Sequence, residues 1–375
     1  MTAFSKITIV GGGNMGMCLA GTISRNMRCS VMVLASHPED FEGSITIRDE
    51  EKEIEYQSGL IRATDDIRKA ISNADLILCT YPAFLREGFV RKASAYIKNT
   101  TLLGFVPAYG GAEFYCQDLI RRGVTIFGLQ KPPYICRTEE RGKVSRLMST
   151  KGKLYLASIP NNNAKDCAHV MSELLEIPVE VLPNYMNVTL LPGNPLLHTC
   201  GSYYYLKDYQ KGYFFPEQIY YYRSWNDDCS EIICRCSDEM EEVCSALPID
   251  LSGVQSIQTY YESPTPQELT KKFHSIQSFQ PLTLPMTKVE GGYIPNFQAR
   301  YFTEDIPFGL CTIKALALIT HIKTDQIDSI LKWYYQQTGI QYFDGDRFGK
   351  DIGNTAIPQL FGLKEKKDIT DFYLR

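Results

Sequence analysis

Gly11-Gly12-Gly13-Asn14-Met15-Gly16 follows the β-branched run at residues 7–10 and opens a stretch in which Met15, Leu19, Ala20, Ile23 and Met27 recur at helical spacing. A strand, a G-x-G-x-x-G turn and an amphipathic helix, in that order, are the fingerprint of a dinucleotide-binding unit. Each glycine has its own reason. Gly11 permits the tight turn, Gly13 lets the backbone approach a pyrophosphate, and Gly16 lets helix and strand pack closely. The helix start at Asn14 and Met15 adds amide donors and the positive end of the helix dipole. FAD and S-adenosylmethionine also use such turns, but a second domain following the first directly favours a nicotinamide dinucleotide.

Outward from this turn, β-branched runs at residues 7–10, 31–35, 76–80, 102–106, 125–129 and 154–158 alternate with helical patterns. That alternation predicts an α/β fold: a Rossmann-type, doubly wound, mostly parallel sheet over residues 1–183. The acidic run at 49–55 reads as a solvated hairpin. After Pro183 the helical period dominates, with Ile232, Ile233, Cys236, Met240, Val243, Cys244 and Leu247 on one face and Ile327, Ile330, Leu331, Tyr334 and Tyr335 on another. Residues 184–375 are therefore expected to form an all-α domain. Gly339 is a natural helix stop, and Pro264, Pro266, Pro281, Pro285 and Pro295 mark a loop-rich middle.

The composition fits this plan. A chain of 375 residues with 44% apolar and 22% charged residues buries a core of two to three domains. Thirty-nine basic against forty-three acidic residues give a net charge of −4, which leaves no footprint for nucleic acid or an anionic membrane. Twelve cysteines spread from Cys18 to Cys311 read as reduced thiols, and the first apolar run is too short for a signal-peptide core, so a cytoplasmic protein is expected. Cys229, Cys234, Cys236 and Cys244 match no common zinc spacing and read as a buried helix face; no metal is expected. A homodimer is compatible with the sequence, which does not fix the assembly.

Residues 181–206 contain no Asp, Glu, Lys or Arg. Burial explains this. Pro183, Pro192, Gly193, Pro195 and Gly201 prevent a membrane helix, and the stretch sits at the junction of the two expected domains, where substrates usually bind.

Cofactor choice is read at the second strand, which ends Ala35-Ser36-His37 without the carboxylate that would hold the ribose hydroxyls of NAD. Ser36 and His37 are donors for a 2′-phosphate, so NADP is preferred to NAD. Thr80-Tyr81-Pro82-Ala83 supplies a second cofactor contact at Tyr81 and Pro82, or is a simple turn with Pro at the first helical position.

Asn194-Pro195-Leu196-Leu197-His198, followed about a hundred residues later by Arg300-Tyr301-Phe302-Thr303-Glu304-Asp305-Ile306-Pro307, resembles the opine dehydrogenases over most of the chain. The glycine motif is generic, whereas N-x-x-x-H followed by R-x-x-x-x-D-I-P is specific. The resemblance implies a nucleotide domain followed by a helical one. It also implies NAD(P)H-dependent condensation of an α-keto acid with the amino group of an amino acid or amine. Family members often carry Pro after the His; this chain has Thr199.

The chemistry asks for these residue types. A guanidinium clamps a carboxylate with two parallel hydrogen bonds, which suits Arg300 to the keto acid. His198 is the proton donor, Asp305 the partner of its other nitrogen, and Asn194 an orienting group. Each has a bland alternative: a core histidine at 198, a surface ion pair between Arg300 and Glu304, and a helix N-cap at Asp305. Two other functions compete. A ketopantoate-reductase-like or 2-hydroxyacid dehydrogenase commonly relies on a lysine, and residues 181–206 contain none, which leaves Lys207 and Lys314 to be placed. A regulator that binds the nucleotide without turnover would not need the His, Arg and Asp set.

Overall fold

The computed structural model describes residues 5–26, 29–191 and 193–374, so Met27 and Pro192 lie outside the described residues. In chain order the first half contains β1 (Lys6–Val10), β2 (Ser30–Leu34), β3 (Thr46–Asp49), β4 (Ile54–Gln57), β5 (Ile61–Thr64) and β6 (Leu76–Cys79). It continues with β7 (Leu102–Phe105), β8 (Thr125–Leu129), β9 (Tyr134–Glu140), β10 (Val144–Thr150), β11 (Leu154–Ile159) and β12 (Val179–Val181).

Eight of these form the main sheet in the order β12-β11-β8-β7-β6-β1-β2-β5. All neighbours are parallel except β11, which runs antiparallel to β8. Thr8, Ile9 and Val10 are buried because β1 is covered on both faces, which is what its unbroken apolar run requires. β1 lies between β2 and β6, where the strand order reverses; ligands of open α/β sheets bind outside the carboxyl ends of the strands at such a point.

The helix Asn14–Asn26 buries Met17, Cys18, Leu19, Ala20 and Ile23 in the core that includes Ile9, Val33 and Leu78. Burying a Leu or Ile side chain is worth about 1.5–3 kcal/mol, so this face holds the helix, and with it the glycine turn, against the sheet. A second sheet, ordered β4-β3-β10-β9, was not expected from the period-2 signal, because its strands are short or half-exposed. Its β3–β4 hairpin carries the acidic run.

The chain divides into two units, residues 1–189 with 371–375 and residues 190–370. The division lies later than Pro183 because the turn Met186–Thr189 is tied into the first unit, with Gln130 Nε2 donating to Asn187 O at 2.9 Å.

The second unit is predominantly helical. Its long elements are Gly193–Leu206, Asp227–Ala246, Pro266–Ser275, Cys311–Thr320 and Asp325–Thr338. Cys229, Cys234 and Cys236 are buried along Asp227–Ala246 beside Ile233, Met240 and Val243, so packing explains them. Gly339 ends Asp325–Thr338 at φ 76°, its N–H bonded to Tyr335 O. Two short hairpins qualify the all-helical expectation: β13 (Met286–Val289) with β14 (Gly292–Pro295), and β15 (Phe343–Asp344) with β16 (Arg347–Phe348). Both are too short to show a period among the prolines and glycines around them. All twelve cysteines are unpaired. Among the described residues, no helix is long and apolar enough to cross a membrane, and no group of His, Cys, Asp or Glu could hold a metal ion.

Candidate active site

In the first unit, the glycine turn sits at the carboxyl end of β1. Gly11 has φ +110°, a conformation that side chains disfavour. A Cβ on Gly16 would lie 1.7 Å from Gly11 O, so only glycine lets the helix start this close to the strand. A Cβ on Gly13 would meet nothing within 4 Å. The turn is thus closed on its protein side at Gly16 and open at Gly13, and the first turn of the helix carries no acidic residue. That cradle fits a pyrophosphate.

Thr80 and Tyr81 border the same turn. Thr80 donates both its N–H and its Oγ1 to Val10 O at 2.9 Å, and a Cβ on Gly11 would come within 3.2 Å of the Tyr81 ring. Pro82 is the N-cap of the helix Ala83–Ala93, not its first helical residue. The buried Arg86 donates Nε to Tyr81 O at 3.0 Å and a terminal nitrogen to Pro107 O at 2.8 Å, and also bonds Tyr109 O. It thereby fixes the loop beside the turn. The Asn14 side chain faces the second sheet, its Oδ1 accepting from Thr138 N at 2.8 Å. Met15 is half-buried against the core. Ser36 is exposed beyond β2, and His37 Nδ1 lies 3.1 Å from Glu39 Oε1. A carboxylate is therefore present three residues beyond Ser36, although the strand end lacks one.

In the second unit, Asn194 and His198 stand four residues apart on the helix Gly193–Leu206, a spacing that puts them on one face. Asn194 is exposed, and the His198 side chain is 15% exposed. The partner segment runs from Arg300–Thr303 through a π-turn at Ile306–Leu310 into the helix Cys311–Thr320. Such π-turns recur at functional sites. Here a Cβ on Gly309 would lie 2.5 Å from Pro195 Cβ, so glycine lets the π-turn press against the helix that bears His198.

Asp305 reaches His198 from this segment, with Oδ2 2.7 Å from Nδ1. It stands at the N-cap position of the π-turn, but its backbone is already helical (φ −71°, ψ −28°) and its side chain makes no capping hydrogen bond. Burial pushes the Asp305 carboxyl above the usual range, and the His198 imidazole pulls it the other way. Tyr301 stacks on the face of the same imidazole, ring centroids 3.6 Å apart and planes 7° from parallel. Burial, with a smaller push from Asp305, raises the Tyr301 phenol to about 12. Tyr221, fully buried, donates its OH to the carbonyls of Leu197 and His198 at 2.8 Å.

Arg300 pairs through Nε with Glu304, whose side chain is 1% exposed while that of Arg300 is 67% exposed. The ion pair read as the bland alternative therefore exists, and its buried carboxylate anchors a solvent-facing guanidinium. Lys314 is buried and bound to Asp328 at 2.8 Å and Asp346 at 2.9 Å, and Lys207 lies over the Tyr204 ring. Sequence reading missed the roles of Tyr221 and Tyr301 and gave Glu304 only as a surface ion-pair partner of Arg300. The available signal was the i,i+4 spacing of Tyr301 to Asp305 and of Arg300 to Glu304.

Residues 6–106 match the family described as NAD-dependent glycerol-3-phosphate dehydrogenase N-terminus. Residues 181–338 match NAD/NADP octopine/nopaline dehydrogenase, alpha-helical domain. Octopine dehydrogenase of Pecten maximus is 27% identical, the alignment covering 96% of this chain and 96% of that protein. Tauropine dehydrogenase of Arabella iricolor is 26% identical over 95% of this chain and 98% of its own. A solved octopine dehydrogenase with NADH and pyruvate shares the fold, with a TM-score of 0.87 at 24% identity over 97% of both chains. Both halves are matched in the order in which the two units occur, and full-length relatives align from end to end: the chain belongs to the opine dehydrogenase family.

Proposed function

We propose that this NAD(P)-dependent dehydrogenase condenses an α-keto acid with the amino group of an amino acid or amine and reduces the product to a secondary amine. The assignment of roles rests on one observation, the 2.7 Å contact of His198 Nδ1 with Asp305. With Nδ1–H donating a hydrogen bond to the carboxylate, Nε2 is the nitrogen that exchanges a proton with substrate. Condensation joins the amine nitrogen to the keto carbon and expels the keto oxygen as water, leaving an iminium. The proton that this oxygen needs comes from the His198 imidazolium, which Asp305 stabilises until it is spent. A bound nicotinamide supplies the hydride that completes the reduction. Arg300 clamps the keto-acid carboxylate, with Glu304 holding its Nε, and Asn194 orients the substrate from the turn before His198.

The turn residues Gly11, Gly13, Asn14, Met15 and Gly16 cradle the pyrophosphate, with Tyr81 and Pro82 beside it. Two observations bear on the choice of nucleotide. The carboxylate-free end of β2 supports NADP through Ser36. The Glu39 carboxylate at His37 favours NADH, the nucleotide in the octopine dehydrogenase structure. Side-by-side titration with NADH and NADPH decides. The unpaired cysteines support a cytoplasmic location, and light scattering tests for a homodimer.

The decisive test is a screen of NAD(P)H oxidation with keto acids, run with and without each amino acid, the product identified by mass spectrometry. Turnover that requires the amine and yields a secondary amine is expected. A 2-hydroxy acid as sole product, indifferent to any amine, would replace this reading with simple keto-acid reduction.

A further inference from the structure

The segment that supplies Asp305 touches His198 twice. Asp305 meets the imidazole at its edge through Nδ1, and Tyr301, four residues earlier, covers its face with planes 7° apart. Three groups bind the ring and its backbone, yet the acid–base chemistry uses only one of them. The charged and titratable groups around the imidazole are Asp305, with Glu304 and Arg300 acting on it, and the phenols of Tyr301 and Tyr221.

We propose that Tyr301 is a positioning residue that locks the plane of His198 and favours its imidazolium form by offering that cation an aromatic face. The inference rests on the acid–base reading of His198. A neutral imidazole stacked on a phenol gains dispersion only, whereas the imidazolium also gains attraction to the negative face of the ring. Stacking is thus stronger in the protonated state, the one that delivers the proton. The Asp305 contact alone leaves the ring able to swing about the Nδ1–carboxylate axis, carrying Nε2 out of line, and a flat neighbour at 3.6 Å removes that freedom. Tyr221 completes the support from behind, because its hydroxyl holds the carbonyls of Leu197 and His198 and its ring lies edge-on to Tyr301. The Tyr301 phenol remains protonated at neutral pH, so it brings no competing charge.

The test compares Tyr301→Phe, which keeps the aromatic face, with Tyr301→Leu, which fills similar space without one; Tyr301→Met replaces the Leu variant if that fails to fold. Two readouts are taken: the pH profile of kcat/KM, and the His198 resonance in a proton-NMR pH titration, assigned by its loss in His198→Ala. Phe should keep the wild-type titration. Leu should move it to lower pH, since an imidazolium–π contact is lost, and should lower kcat about tenfold with KM little changed. A Leu variant that titrates like the wild type overturns the inference and reduces Tyr301 to packing. The outcomes separate cleanly from the parent reading: if His198→Ala keeps full activity, His198 is not the proton donor, whatever Tyr301 does.

Discussion

Nδ1 of His198 and a carboxylate oxygen of Asp305 lie 2.7 Å apart although 107 residues separate them in the chain. The contact needs a helix bearing His198, a π-turn that delivers Asp305 and a glycine that lets the two approach. Because the Asp305 side chain makes no capping hydrogen bond, Asp305→Asn removes a charge and leaves the helix start intact. The melting temperature should stay within a few degrees of wild type. Activity should fall by about 10² to 10³, because an amide can hold the wrong imidazole tautomer and cannot stabilise the charged ring. His198→Ala should lose a similar factor, and the double variant should be little worse than either, since groups acting as a unit are not additive. Losses that multiply would mean that the two residues act separately.

The glycine turn separates folding from binding. Gly13→Val adds a side chain to open space, so the variant should melt like the wild type while its affinity for NAD(P)H drops more than about tenfold. Gly16→Ala places a Cβ against Gly11 O, and it should lose stability as well as affinity. Thermal melting with nucleotide-fluorescence titration distinguishes them; a Gly13→Val variant that binds normally would remove the turn from the cofactor site.

What the sequence revealed follows from where its signals are local. The strand, glycine turn and helix around Gly11 to Ile23 lie within twenty residues, and each step has its own periodicity, so this part was legible. The six expected strands all appear in the main sheet. β9 and β10 were not legible, because an outer sheet that is half-exposed mixes Arg, Glu and Thr with its apolar positions. In the second unit the His198 and Asp305 candidates came from the family resemblance that N-x-x-x-H and R-x-x-x-x-D-I-P carry, whereas Tyr301 lay in the quoted motif without a role. An aromatic residue beside a polar motif reads as core until the distance to the imidazole is known.

Arg300→Lys tests the clamp. A lysine keeps the charge but not the fork, and it cannot reproduce the Nε contact that Glu304 makes. The KM for the keto acid should rise about tenfold or more, while the dissociation constant for NADH, held on the other unit, stays unchanged. Steady-state kinetics with the keto acid varied at saturating amine provides the check, and an unaltered KM would leave Arg300 as a surface ion pair.

The last prediction concerns Glu113, which is completely buried in the first unit. Its Oε1 accepts from Thr189 Oγ1 at 2.6 Å and from the Tyr373 OH at 2.5 Å, yet its Oε2 has no hydrogen-bond partner among the described residues. Burial outweighs the two donors and raises the carboxyl from about 4.5 to about 7. The sign of the linkage follows. A carboxyl with a raised pKa in the folded state favours folding most fully below its unfolded pKa, and that contribution is lost as pH rises through about 7. Over the interval the loss is on the order of 3 kcal/mol, since each pKa unit is worth about 1.4 kcal/mol. Glu113→Gln cannot ionise, and its amide oxygen can still accept from Thr189 and Tyr373. The variant should therefore gain stability relative to the wild type as pH rises from 5, with most of the change between pH 5 and 7 and little above that. Urea unfolding at a series of pH values measures the difference directly, and it cancels the contribution of every other titrating group. Parallel curves across that range would show that the Glu113 carboxyl does not ionise there in the folded protein.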